Sequence, residues 1–268
     1  MAKDHWSANK YSSAAGFVPK LTTKVISYLD VQPNDRILDL GCGDGVLTTQ
    51  IAQTASQGEV LGLDASESFI KSAQQQYASS NCTFKHQDCT KLDQCAEAVD
   101  GSWDKVFSNA AMHWILRNPD IRTPYFDNVN KALKPAGKFV FEMGGNGNVA
   151  EVQAAATAAL LHAGVPLEKA RAANPWFFPS TEHMSGLLSN AELEVELCEH
   201  EYRSTKLTAD TDDKSGGLEG WFIEVVPEDR QGGVVKEICD VLTPIMTRHE
   251  DGSKWMGYTR LRAVARKK

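Results

Sequence analysis

The chain has 268 residues and a formal net charge of −7, with acidic and basic residues scattered along it. This length suits one sizeable core, so we expect one α/β domain with an added cap rather than two full domains. The charge disfavours nucleic acid and anionic membranes as partners. Six cysteines without a CxxC pair, a start without an apolar signal region and no run long enough to span a bilayer predict a reduced, soluble protein of the cytoplasm.

The first informative segment joins a buried strand to a glycine turn. An apolar run over residues 37–40 is typical of a central parallel strand. Gly41, Gly43 and Gly45 then form a turn without Cβ atoms, so a ligand can lie against bare backbone. A helical pattern resumes at residue 46, which places a helix N-terminus behind that ligand. The spacing is GxGxG, whereas a dinucleotide-binding fold needs GxGxxG.

Two later strands end in acids. The strand over residues 59–64 ends at Asp64, at the spacing where such folds bind a ribose diol, because a carboxylate accepts hydrogen bonds from two adjacent hydroxyls. The strand over residues 83–88 ends at Asp88, which Cys89 follows. Polar groups at the carboxyl ends of successive parallel strands predict one ligand lying across that edge of the sheet.

In their order and spacing, these motifs resemble class I S-adenosylmethionine-dependent methyltransferases, from about residue 11 to residue 144. Residues 39–45 match the first motif of that family, 63–66 the second and 87–89 the third. Residues 103–109 resemble the fourth strand and the loop that contacts the methionine part of the cofactor. The stretch 109–148 is further similar to the trans-aconitate methyltransferase-like branch.

The resemblance implies an α/β fold with a Rossmann-like, mostly parallel seven-stranded sheet, helices on both faces and a helical cap inserted after strand five. The alternating pattern near the C-terminus predicts an antiparallel last strand. We expect a single methyltransferase domain with four parts: an N-terminal lid (1–30), a cofactor-binding core (31–148), a substrate cap with the sixth-strand region (149–250), and the last strand (254–266).

Periodicity, capping residues and turns locate further elements along the chain. A helix over 18–29 precedes the first strand. Later helices are predicted at 66–78 with a Ser66 cap, 124–134, 149–163, 181–190, 217–226 and 231–247, and further strands at 137–143 and 193–208.

The resemblance implies S-adenosylmethionine as the cofactor. No metal is expected, because the acids and asparagines of the relevant region are too scattered: Asp104, Asn109, Asn118 and Asp120. The residues expected to bind it come from the three motifs, the strand-four loop and an N-terminal tyrosine that could hydrogen-bond the methionine carboxylate. They are Tyr11, Asp39, Gly41, Cys42, Gly43, Asp64, Ala65, Asp88, Cys89 and Asn109. Cys42 and Cys89 are interpreted as small packing residues that flank this site, because nothing near them in sequence suggests an activated thiolate.

The catalytic candidate is His113, four residues past Asn109, which could take a proton from the acceptor. The alternative is a packed, hydrogen-bonded histidine at a helix start. Four tryptophans are candidates for the substrate pocket, with ordinary core packing as the alternative for each: Trp6, Trp114, Trp176 and Trp221. Arg117 and Arg122 could pair with an acidic substrate, or they could lie on a solvated helix face.

Methyl transfer from a sulfonium is an in-line displacement, so the protein mainly aligns the acceptor and excludes water. The chain lacks the Asn/Asp-Pro-Pro run, the Pro-Cys nucleophile and the paired glutamates that base and arginine methylation would need. We therefore expect a small-molecule acceptor, methylated at an oxygen (carboxylate or hydroxyl). Methylation of nitrogen or sulfur in a small metabolite, or a cofactor-binding protein with a regulatory or non-methyl role, are the alternatives. The sequence predicts no oligomeric state.

Overall fold

The computed structural model describes residues 22–207 and 222–268. These residues form two compact units. The first contains residues 22–145, 177–200 and 261–268, and the second contains 146–176 and the described part of 201–260. Within the described ranges, no helix has the length and apolar character that crossing a bilayer requires.

A single seven-stranded sheet has the order β3-β2-β1-β4-β5-β7-β6. Strands β1 to β5 pair in parallel, and β7 is antiparallel. The predicted fold class is therefore confirmed, including the antiparallel last strand. The strands are β1 (Arg36–Leu40), β2 (Glu59–Asp64), β3 (Cys82–His86), β4 (Trp103–Asn109), β5 (Leu133–Gly144), β6 (Leu193–Lys206) and β7 (Trp255–Lys267).

Most α-helices of the described residues lie close to the predicted positions, and the short helix Leu167–Ala172 was not predicted. The Ser66 side chain caps its helix as expected, accepting a hydrogen bond from the Phe69 amide at 3.4 Å. Of the helix predicted over 217–226, residues 217–221 lie outside the described residues, Phe222 is helical, and Ile223–Val225 form a 3₁₀ turn. The helices are α1 (Thr23–Leu29), α2 (Val46–Thr54), α3 (Glu67–Tyr77), α4 (Met112–Ile115), α5 (Arg122–Ala132), α6 (Ala150–His162), α7 (Leu167–Ala172), α8 (Thr181–Asn190) and α9 (Glu228–Met246).

The sheet of the first unit is buried on both faces, which explains the continuous apolar run of β1. Leu38 and Leu40 pack into one core with aromatic residues of β5. Ile37 points to the other face and packs with the Ile51 side chain of α2. Because side chains alternate along a strand, Asp39 shares the face of Ile37 and lies beneath α2.

The second unit has its own core, in which side chains of α6 and α9 are buried, among them Val152, Leu160 and Ile238. The turn before α6 is fixed on β7, where the Thr259 amide donates to Asn148 Oδ1 at 3.0 Å. Helix α8 lies within the first unit. The predicted division of the chain, with a substrate cap and sixth-strand region over 149–250, stays a prediction. That the second unit contacts a substrate stays a prediction.

Candidate active site

All three glycines of the turn after β1 adopt the left-handed conformation, with φ of +78° at Gly41, +56° at Gly43 and +83° at Gly45. A Cβ atom at Gly41 would lie 2.2 Å from the Ala111 Cβ, and one at Gly45 would lie 2.7 Å from the Phe84 ring. Nothing lies within 4 Å of the equivalent point at Gly43. Close packing therefore requires glycine at positions 41 and 45, while the bare backbone at Gly43 faces open space.

The Asp64 carboxylate connects this turn to the end of β2. Its Oδ2 accepts the Gly43 amide at 2.9 Å, and its Oδ1 accepts the Ser66 amide at 2.8 Å. Two backbone donors thus fix the orientation of the carboxylate. Since a carboxylate has roughly four lone-pair positions, it can be held this way and still accept the two hydroxyls of a ribose.

Asp39 is the most deeply buried acid of the first motif, with 2% of its surface exposed. The Thr48 hydroxyl of α2 donates to Asp39 Oδ2 at 2.7 Å. Burial raises the pKa of Asp39 to about 7, against the opposing effect of the Thr48 hydrogen bond and with a contribution from the Asp64 charge. Thr48 was not among the residues predicted for the site, although it lies in the first turn of the helix that follows the glycines.

This pKa predicts a pH-dependent cofactor affinity. If Asp39 accepts the cationic amine of the cofactor, the ionised carboxylate binds it better, so affinity should rise several-fold from pH 6 to pH 7.5 in calorimetry. Because the folded-state pKa lies above the ordinary 3.8, the folded protein binds the proton more tightly, and the free energy of unfolding should fall as pH rises from about 4 to about 7.

The control for this prediction is Asp39→Asn, which keeps the shape of the side chain and removes its titration. We expect weaker binding with a flat profile between pH 6 and pH 7.5. The same slope in the variant and in the wild type would contradict the assignment to Asp39.

β3 ends at His86 instead of at Asp88 as predicted, and the Asp88 side chain caps the short 3₁₀ turn that follows by accepting the amide and the hydroxyl of Thr90, at 2.9 and 2.7 Å. The following Cys89 is buried, and burial raises the pKa of its thiol, as it does for Cys42. Both thiols are therefore neutral, which is consistent with small packing residues. Contact of Asp88, Cys89 and Ala65 with a cofactor stays a prediction.

The turn after β4 carries backbone strain beside a buried acceptor. Asn109 Oδ1 is buried, and no hydrogen-bond partner lies within the described residues. Ala110 has a φ of +55°, and its amide donates to the Glu142 carbonyl at 2.8 Å. Leaving a buried acceptor unsatisfied costs about 1–3 kcal/mol. A ligand that donates a hydrogen bond at this turn would remove that cost.

His113 lies in α4 with 8% of its surface exposed. Its ring centroid is 5.5 Å from that of Trp114 and 5.7 Å from that of Phe178, and its carbonyl accepts the Phe177 amide at 2.9 Å. The side chain is therefore packed among aromatic rings. A role for His113 as a base stays a prediction.

The tryptophans predicted to line the substrate pocket lie in different surroundings. Trp114 lines a cavity of about 470 Å³ in the first unit, together with Thr90, Ile115, Arg117, Asn118 and Ile121. Trp176 packs edge-to-face on Phe222 at 5.4 Å and is 7% exposed in the core of the second unit. Trp6, Tyr11 and Trp221 lie outside the described residues.

The Arg122 side chain is half-buried and contacts backbone carbonyls and an aromatic ring. Its Nε donates to the Leu116 carbonyl at 3.0 Å, its Nη2 donates to the Arg117 carbonyl at 3.3 Å, and its guanidinium lies 3.7 Å from the centre of the Phe177 ring. Desolvation lowers the pKa of Arg122. These contacts stabilise the end of α4. Pairing of Arg117 or Arg122 with an acidic substrate stays a prediction.

Comparison with known proteins places the chain in a family. Residues 32–171 match the family model described as "Methyltransferase domain". An uncharacterized methyltransferase of Schizosaccharomyces pombe is 35% identical over 267 residues, which is 100% of both chains. The chain belongs to the methyltransferase family. It is a class I, S-adenosylmethionine-dependent member, as the sequence analysis expected.

More distant relatives match only part of this methyltransferase. The trans-aconitate 2-methyltransferase of Deinococcus radiodurans is 32% identical over 115 residues, 43% of this chain and 40% of that protein. Among solved structures, a Bacillus halodurans protein, provisionally assigned as a methyltransferase, aligns with a TM-score of 0.61 and 16% identity over 92% of this chain and 99% of its own. That structure supports the fold alone.

Proposed function

We propose that the protein transfers the methyl group of S-adenosylmethionine to an oxygen of a small organic acid, with a carboxylate as the accepting group. The name of the Deinococcus radiodurans relative, a trans-aconitate 2-methyltransferase, supports an acidic substrate. A hydroxyl is the second candidate acceptor. The acceptor class is a proposal, since that relative matches less than half of this chain.

The burial of His113 among aromatic rings is the observation that favours a carboxylate as the accepting group. His113 is the candidate base that sequence reasoning identified after β4, and its surface is 8% exposed. A hydroxyl or an amine has to lose a proton during methylation, and a base placed beside it would assist. A carboxylate is already ionised at neutral pH. It therefore needs alignment and the exclusion of water, without a proton acceptor.

The residues of the first unit fit S-adenosylmethionine, which supplies an electrophilic methyl group. The open backbone at Gly43 provides room for a ligand, and the fixed Asp64 carboxylate suits the ribose hydroxyls. Asp39 would hold the cationic amine, and the buried Asn109 Oδ1 would accept a hydrogen bond from the methionine part. Asp88 would orient the adenine end. In this proposal the protein binds and orients the reactants, while the chemistry belongs to the sulfonium.

The test of the acceptor class is a product analysis. The purified protein is incubated with labelled S-adenosylmethionine and a panel of tricarboxylates, phenols, amines and thiols. We expect S-adenosylhomocysteine to form with an acid, and mild alkali to release the label as methanol, because methyl esters hydrolyse while ethers and methylamines do not. An alkali-stable product formed only with a phenol, an amine or a thiol would overturn the proposal.

Substitution of His113 gives a second prediction. With a carboxylate acceptor, His113→Gln should leave the turnover number within a few-fold of the wild type at every pH from 6 to 9. With a hydroxyl acceptor, the same change should lower turnover by about a hundredfold, the usual cost of losing a general base, and high pH should partly restore it. Steady-state kinetics across this range, with circular dichroism to verify folding, separate the two acceptors.

A further inference from the structure

A row of four polar side chains crosses one face of the sheet in the first unit. Asn109 and Glu142 are register partners at the carboxyl ends of β4 and β5, so their side chains leave the same face. Arg262 of β7 donates from Nε to Glu142 Oε2 at 2.5 Å, and its Nη1 lies 3.6 Å from Glu199 Oε1 of β6. We call Asn109, Glu142, Arg262 and Glu199 the polar row.

The far end of the polar row is held by α1. Glu199 Oε1 accepts the Tyr28 hydroxyl at 3.0 Å and pairs with Lys24 Nζ at 2.7 Å. Each charged side chain of the row therefore has a partner that restricts its position. The restriction extends along the row from α1 to Glu142, which is the register partner of Asn109.

The ion pair at the centre of the row does not have an obvious role in stability. The side chains of Arg262 and Glu142 are 1% and 2% exposed. Removing two charges from water carries a desolvation cost that apolar residues of similar volume avoid, and such replacements are often neutral or stabilising. Elsewhere on this face, the same two strands carry apolar side chains, Val140 and Val264. The pair lies instead at the edge where the cofactor motifs converge.

Glu142 influences the turn after β4 in two ways. Its carbonyl accepts the amide of Ala110, the strained residue that follows Asn109. Its side chain leaves the sheet on the same face as that of Asn109, from the neighbouring strand about 5 Å away. A negative charge there attracts the NH₂ end of the Asn109 amide. The Oδ1 end then turns towards any donor that a ligand presents.

We propose that Glu142 and Arg262 are positioning residues that fix Asn109 and its turn for the methyl donor. Arg262 holds the Glu142 carboxylate in place, and Glu142 orients the Asn109 amide and the Ala110 backbone. This inference rests on the proposed function, in which Asn109 contacts the methionine part of the cofactor. It adds two residues from β5 and β7, strands that supply none of the residues assigned above to the cofactor.

The test compares two buried ion pairs of the same sheet. Glu142→Gln removes the charge beside Asn109 with little change in size. The matched control is Asp35→Asn, which breaks the Lys105–Asp35 pair at 2.5 Å, with side chains 9% and 10% exposed, near the amino ends of β4 and β1. We expect both variants to lose thermal stability. Glu142→Gln alone should weaken binding of S-adenosylmethionine at least tenfold in calorimetry and lower kcat/KM for the methyl donor.

A second variant covers the case in which Glu142→Gln does not fold. The double variant Glu142→Gln with Arg262→Met removes both charges, so no uncompensated ion is buried. We expect its melting temperature to exceed that of the single variant, while affinity for S-adenosylmethionine stays at least tenfold below the wild type. Wild-type affinity in the double variant, or equal losses of affinity in Glu142→Gln and Asp35→Asn, would overturn the positioning role.

Failure of the proposed function gives a different result. Calorimetry with S-adenosylmethionine needs no acceptor, so it tests the positioning role even if the acceptor is not a carboxylate. If the wild type binds the cofactor and methylates only amines, the carboxylate proposal fails while the comparison of variants stands. If the wild type methylates an acid and Glu142→Gln binds the cofactor as Asp35→Asn does, the positioning role alone fails.

Discussion

Replacing Asp64 by Ala is expected to weaken the binding of S-adenosylmethionine by about 1–3 kcal/mol, the usual cost of losing a hydrogen bond to a charged group. The structure gives a second reason for a large effect, because the Asp64 carboxylate also accepts the backbone amides of Gly43 and Ser66. The substitution removes the proposed ribose contact and loosens the turn on which the ligand lies. Isothermal titration calorimetry with the purified variant measures the change.

Glu67→Ala is the matched control for this prediction. Glu67 is an exposed carboxylate three residues further along the chain, paired with Lys71 at 2.8 Å across one helical turn. We expect its removal to leave the affinity unchanged, which separates a specific contact from a general loss of negative charge. Equal affinities for Asp64→Ala and the wild type would contradict the assignment. Tight binding of NADH in place of S-adenosylmethionine would favour the dinucleotide interpretation.

The second large effect is expected in the glycine turn, where neighbouring glycines should respond differently. Gly41→Ala places a Cβ 2.2 Å from the Ala111 Cβ at a φ of +78°, so the turn or α4 has to move. We expect a stability loss of about 2 kcal/mol or more, together with loss of cofactor binding. Gly43→Ala meets open space at a φ of +56° and should cost only about 1 kcal/mol of stability. Its methyl group should nevertheless weaken S-adenosylmethionine binding at least tenfold, because it covers the bare backbone.

Gly101→Ala is the control for the stability cost of placing an alanine at a positive φ. Gly101 has a φ of +77°, and a Cβ there would meet only the Lys131 carbonyl at an ordinary 3.5 Å. We expect this variant to lose about as much stability as Gly43→Ala while its calorimetric affinity stays at the wild-type value. If Gly43→Ala binds the cofactor as Gly101→Ala does, then the ligand does not lie against Gly43.

The elements that sequence reasoning placed well are those that short-range patterns specify. The apolar run of β1, the glycines after it and the Ser66 cap each act within a few residues, and the structure has them as predicted. β5 is longer than predicted, beginning at Leu133 instead of residue 137. Its first residues look like a turn in sequence, yet Leu133 pairs with Trp103 of β4. β5 is extended by its pairing with β4, and the periodicity of the sequence does not show which residues of distant strands pair.

The sequence by itself determined that a ligand lies across the carboxyl ends of successive strands, because the glycines and acids there act through backbone geometry that local spacing encodes. The resemblance of these motifs to class I methyltransferases implied which cofactor it is. Only the tertiary structure decided the environment of each site residue. Burial raises the pKa of Asp39 to about 7, and Phe178, 65 positions beyond His113, packs near the ring of that histidine. Arg262 meets Glu142 across 120 positions of sequence. Desolvation and ion pairing depend on which distant segments the sheet brings together, and no local pattern records that choice.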